Sequence, residues 1–212
     1  MIVLADNDII LKLAQCDLLD SLADLLGTSI ENIYIPTTAK FQLLPKNSEK
    51  ALSKCGNEET ITRIKRFLES AKDIPEVENL DFLSKLSEIP DIHPGEQQLF
   101  AASLATEELL LITGDRNALR AVISNKETIS ELHDALIDKV VTFASALLLS
   151  LNVYGFVVLK QKLLSCPKPD GVLKLVLRSD MTEADLSECL VSYSKEIAVF
   201  LTSKNRLPEA LR

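Results

Sequence analysis

The stretch IVLADNDIILKLAQCDLL, residues 2–19, decides the fold. Its first four residues, Ile2 to Ala5, form a run too short and too uniformly apolar for an alternating surface strand, so they predict a buried one. Asp6-Asn7-Asp8 interrupts the run, and an apolar helix-like pattern resumes at once. Removing a carboxylate from water is costly unless something pairs with it. The two acids at this seam are therefore helix caps or part of a site that binds a cation.

The same grammar recurs along the chain. Ile33-Tyr34-Ile35, stopped by Pro36, reads as a second strand, LLLIT (109–113) as a third, and Val140 to Phe143 as a fourth. Helices are expected over 8–26 in one or two pieces with Gly27 as C-cap, from Thr37 or Thr38 to Pro45, over 60–72, around 80–86, from Pro94, and over 117–124. Thr128-Ile129-Ser130-Glu131 has capping-box spacing and predicts another start. Residues 46–59 are polar and read as a loop. Strands alternating with helices predict an α/β fold with a central parallel sheet. The division expected is a domain over 1–145 and a mainly helical C-terminal extension over 146–212, whose last long helix is capped by Thr182 to Asp185 and carries Leu186, Leu190, Tyr193, Ile197 and Leu201 on one face.

The 212 residues suffice for one sizeable domain with an appendage, and 47% hydrophobic with 25% charged residues is ordinary for a folded protein. A net charge of −8 excludes a global basic footprint, although a local basic rim can still steer a nucleic acid past clustered carboxylates. The four scattered cysteines form no Cys-x-x-Cys pair, which argues for reduced thiols in the cytoplasm rather than a zinc ribbon or disulfide framework. No signal peptide is expected. The uncharged segment 140–159 is long enough to cross a bilayer, but Thr142, Ser145, Ser150, Asn152 and Tyr154 favour a buried strand and core helix, so no membrane partner is expected.

The acids cluster by position. Asp6 and Asp8 follow the first strand and Asp115 follows LLLIT, so both strand ends aim carboxylates at the rim where open parallel sheets bind ligands. Glu96, in the first turn of the helix leading into LLLIT, reaches the same rim. Taken singly, each acid has an ordinary explanation as a cap, a dipole-favoured first-turn residue or a turn residue. Taken together they have the chemistry of a hard-cation site. Lys12, Arg116 and Arg120 lie just beyond the acids, where a phosphate contact and a solvated helix face explain them equally well.

The opening IVLADNDIILKL and the later HPGEQQLFAASLATEELLLITGDRNALRAV (93–122) together resemble PIN-domain nucleases. In that family a strand ends in Asp, any residue, then Asn, Ser or Asp. Later come a Gly-Glu pair opening a helix, a hydrophobic strand, and Thr-Gly-Asp followed by a basic residue. The resemblance covers about the first 145 residues. It implies a three-layer α/β/α domain and metal-dependent hydrolysis of RNA phosphodiester bonds. Asp6, Glu96 and Asp115 would be the catalytic acids holding Mg2+ or Mn2+, Asp8 an auxiliary ligand, and Asn117 an outer residue. The sequence departs at Gln42, where the family usually places Glu after Pro36. That loss of one negative charge favours one alternative, a weakened, PIN-like interaction subunit. Two others stay open: a toxin held by an antitoxin, and a flavodoxin-like or receiver domain, which also sets acids at strand ends. The resemblance and the absence of targeting signals imply a prokaryotic cytoplasm. The C-terminal helices are expected to cover the sheet or to form a homodimer interface.

Overall fold

The computed structural model describes residues 1–106 and 108–212; Glu107, inside the 93–122 stretch, lies outside the described residues. Five strands form one sheet: β1 (Ile2–Ala5), β2 (Ile33–Ile35), β3 (Lys72–Asp73), β4 (Leu109–Thr113) and β5 (Val140–Thr142), in the order β3-β2-β1-β4-β5. All pairings are parallel. Parallel neighbours need crossovers, here helical, which cover the faces and make central strands apolar on both sides. Accordingly Val3, Leu4 and Ala5 are buried, as are all five residues of β4.

The strand order has a consequence for function. From β1 the chain steps outward to β2 and β3, then returns to lay β4 against the other side of β1, with Leu4 opposite Leu111 and Ala5 opposite Ile112. The order reverses between these two strands. Loops leaving their carboxyl ends diverge, and a crevice opens at such a switch point. A flavodoxin-like sheet has the order 2-1-3-4-5, so this sheet is not of that kind.

The helices are α1 (Asn7–Gln15), α2 (Leu22–Leu26), α3 (Ala39–Leu43), α4 (Ser48–Cys55), α5 (Glu58–Ser70), α6 (Leu80–Ser87), α7 (Pro94–Leu104), α8 (Arg116–Ser124), α9 (Ser130–Leu136), α10 (Phe143–Leu164), α11 (Gly171–Val176) and α12 (Glu183–Ser194). Gly27 closes α2 at φ 67°, as expected of a left-handed C-cap. Four expectations need correction. Residues 46–59 are not a loop: α4 lies there, capped by Asn47, whose side chain accepts from the Lys50 amide. It buries only Ala51 and Cys55, too few apolar positions to announce a helix. The exposed edge strand β3 has two polar residues and no apolar signal at all. The capping box at Thr128 does not form, because Ile129 occupies the N-cap position. Thr142 and Ser145 make one instead, so β5 ends before Phe143 and α10 begins directly. Finally, α12 stops at Ser194; a 3-10 turn over Lys195–Phe200 follows, and Leu201 bridges back to Val140 in parallel.

Among the described residues α10 is the one helix long and apolar enough to cross a membrane, but its first half is core. Gly155 breaks it at φ 74°, ψ 164°, and beyond that kink Val157 and Val158 are exposed. The C-terminal elements are tied to α1 and its surroundings by charge. Lys162 Nζ lies 2.5 Å from Asp17 Oδ2, Arg63 Nε lies 2.8 Å from Asp17 Oδ1, and Lys12 Nζ reaches Asp170 at 3.1 Å.

Candidate metal centre at the sheet switch point

Asp6 is the residue at which β1 stops. Its amide donates to Ile112 O at 2.9 Å, continuing the ladder with β4, and its carbonyl accepts from Ile10 to open α1. It occupies the N-cap position, yet its side chain makes no capping hydrogen bond. The carboxyl is instead buried, 7% exposed, and Oδ2 has no partner among the described residues. Burial, then the charges of Asp8 and Glu96, push its pKa from 3.8 up to about 6. The amides of Asp8 and Gly114 offset part of that rise.

Glu96 is the third residue of α7, placed in its first turn by Pro94 at the helix start. Its Oε2 is also buried without a partner among the described residues. Burial raises its pKa; its own amide and His93 oppose the rise, and the Asp115 charge adds to it. Asp115 ends β4 and caps α8, its Oδ1 accepting from Asn117 N at 2.8 Å and Ala118 N at 3.0 Å. Asp8 forms an ion pair with Lys12 at 2.6 Å and lies tight against Gly114. A Cβ on Gly114 would stand 2.2 Å from Asp8 Oδ2, so glycine is what lets the two strand-end loops approach.

The four acids line one cavity of about 260 Å3, together with Gly114, Arg116, Asn117 and Tyr193. Asp6, Asp8 and Glu96 also line a second, of about 320 Å3, whose far wall carries Thr38, Gln42 and Lys54. A larger cavity, about 710 Å3, lies elsewhere, beside Ile2, Leu4, Tyr34 and Ala101, and touches none of the four.

The basic residues are placed differently from the acids. Arg116 stacks 4.2 Å from the Tyr193 ring, donates to Tyr193 O at 2.9 Å and lies 3.9 Å from Glu196. Arg120 pairs with Glu196 at 3.0 Å and lines neither acid cavity. Both are engaged by residues of 193–196, and Arg116 also lines the smaller acidic cavity. Lys12 also lines neither cavity and is held between Asp8 and Asp170. Burial works against its charge, but the two carboxylates outweigh it and keep its pKa above the usual lysine range. Asn117 does line the acidic cavity. Gln42 accepts from Asn7 Nδ2 at 2.5 Å through its side chain, and from Lys54 Nζ at 2.5 Å through its backbone carbonyl. Lys54 is the residue that sequence reasoning missed. The signal was Lys50 and Lys54 at an interval of four, one face of a helix in a segment read as loop.

The donors converging here are carboxylate oxygens, which suits a hard divalent cation. Among the described residues no three Asp, Glu, His or Cys side chains close into a ready-made metal cage. The set nevertheless fits such an ion: two buried carboxylate oxygens lack partners among the described residues, and burial, followed by the charges of Asp8 and Glu96, pushes the Asp6 pKa up to about 6. No family model, no curated protein and no solved structure matches the chain.

Proposed function

We propose that the chain is a PIN-like, metal-dependent endoribonuclease that hydrolyses RNA phosphodiester bonds. One observation carries this reading. The carboxylates flanking the switch point include two, those of buried Asp6 and half-buried Glu96, that each carry a buried oxygen with no partner among the described residues and line a shared cavity. Local structure has no use for them in that state, and a buried unpaired carboxylate is a cost that a bound cation removes.

Asp6, Glu96 and Asp115 would hold Mg2+ or Mn2+, with Asp8 beside them. Bound there, the ion supplies the Lewis acidity and the acidified water that phosphodiester hydrolysis needs. The chain's own work is positioning. The β1–β4 ladder fixes Asp6. The α8 amides grip one oxygen of Asp115 and so fix the direction of the other. Lys12 holds Asp8 against Gly114. Neither histidine is needed: His93 is an exposed N-cap residue, and His133 packs edge-on against Phe200, 5.3 Å between centroids.

The neutral Gln42 favours a second reading, a PIN-like interaction subunit with weakened catalysis. The deciding experiment is cleavage of a labelled single-stranded RNA with Mn2+ or Mg2+ by wild type, Asp6→Asn and Asp115→Asn. Metal-dependent cutting that disappears in both variants is the expected result. No cutting by wild type, with no thermal shift on adding Mn2+, would sink the nuclease and leave the interaction subunit.

A further inference from the structure

The two cavities that share the acid wall differ in kind. Asp115, Asn117 and Arg116 close the smaller one, where the arginine is already committed to Tyr193 and Glu196. The larger one faces the acids with donors. Lys54 is half-buried there, placed by α4, and Gln15 Nε2 donates to its carbonyl at 3.2 Å. An ammonium has three protons. One is given to Gln42 O, and the rest have no acceptor among the described residues. Gln42 uses its side-chain oxygen to accept from Asn7, which leaves its amide group to donate. Gly95 lies in the first turn of α7, where backbone N–H groups lack intrahelical partners and the helix dipole is positive.

We infer that this cavity of about 320 Å3 is an anion subsite in which Lys54, with the Gln42 amide, holds a phosphate of a single-stranded nucleic acid beside the carboxylate wall. The inference rests on the nuclease reading for its substrate and adds which residues position it. Phosphate and carboxylate repel, so acids alone make a poor entry for a phosphodiester strand. Lys54 places a positive charge in the lining of this cavity. Gln42 stands where a further acid would have cancelled it. Lys50, one helical turn before Lys54 on α4, is exposed and continues the positive edge outward. A strand spans several phosphates and can use that continuation, whereas a lone phosphate cannot.

The test is the affinity of the full chain for a short labelled single-stranded RNA, measured by fluorescence anisotropy in EDTA across a salt series. Wild type is compared with Lys54→Met and Lys54→Arg, and Mn2+ binding is followed separately by thermal shift. Lys54→Met is expected to weaken binding roughly fivefold to tenfold and to reduce the salt slope by about 0.7, the value for one lost contact to a single strand. Lys54→Arg keeps both, and Lys54→Met still responds to Mn2+, which shows that it is folded. Lys54→Met binding with wild-type affinity and slope overturns the inference, as does a wild type that binds no strand. Displacement by millimolar inorganic phosphate at matched ionic strength overturns the strand assignment in favour of a free-phosphate site. Strand binding that depends on Lys54 without any cleavage upholds the inference while the nuclease reading falls.

Discussion

Twice the chain runs from a buried strand through Asp into a helix, at Asp6 and at Asp115, and the two seams solve the same problem differently. Asp115 caps α8 with two hydrogen bonds to backbone amides. Asp6 stands at the N-cap of α1 without a side-chain capping hydrogen bond; it is buried, and its Oδ2 has no partner among the described residues. Asp115 is therefore explained by local structure whether or not it also binds a cation. Asp6 is not, and a residue that costs stability without repaying it locally is where function is written.

The largest test of that contrast is stability without metal. In the folded chain Asp6 holds its proton up to about pH 6, against 3.8 for a free carboxyl. The fold binds that proton more tightly than the unfolded chain does. Asp6 therefore favours folding fully below pH 3.8, and the benefit is lost as pH rises through about 6. At pH 7.5 in EDTA, Asp6→Asn is expected to be more stable than wild type by roughly 1–3 kcal/mol, with most of the difference gone by pH 4.5. Urea denaturation at the two pH values measures it, and Mn2+ should restore the wild type alone. An Asp6→Asn chain less stable than wild type at pH 7.5 would show that the carboxylate has a structural partner after all.

The seam at β4 predicts the opposite behaviour. Asp115→Ala removes the cap and is expected to cost about 1 kcal/mol at pH 7.5. Asp115→Asn retains an acceptor oxygen and should stay within a few tenths of wild type. Thermal melts of both in EDTA check the pair. If Asp115→Asn were stabilising by as much as Asp6→Asn, the two seams would be equivalent and the distinction between cap and site would collapse.

What could be read from the sequence follows the same line. Buried strands in a parallel sheet are short apolar runs, so β1, β2, β4 and β5 were legible, as were the acids that follow β1 and β4. Strand order was not, because nothing local tells β1 that β4 will be its neighbour; the switch point exists only once Leu4 meets Leu111. α4 was hidden because two buried residues in eight leave no apolar stripe, and with it went Lys54. Arg116 looked available for a phosphate because its captor, Tyr193, lies 77 residues further on. Local chemistry was legible to the extent that it is local.

The smallest expected effect tests the position where the chain departs from the acid pattern. Gln42 and Glu have nearly the same shape, and a carboxylate at 42 can still accept from Asn7, so Gln42→Glu should fold like wild type. It returns a negative charge to the wall opposite Asp6 and Glu96. Two opposite changes follow from that one charge. Mn2+ affinity, read from the midpoint of a thermal-shift titration, is expected to rise about threefold to tenfold, the effect of one partly screened charge. Affinity for single-stranded RNA in EDTA is expected to fall, because the new carboxylate faces the phosphate beside Lys54. Movement of both quantities in the same direction would mean that metal and strand do not divide the cleft between its acidic and basic walls. Tighter metal with weaker strand binding would show that Gln42 trades cation affinity for room to admit a phosphate.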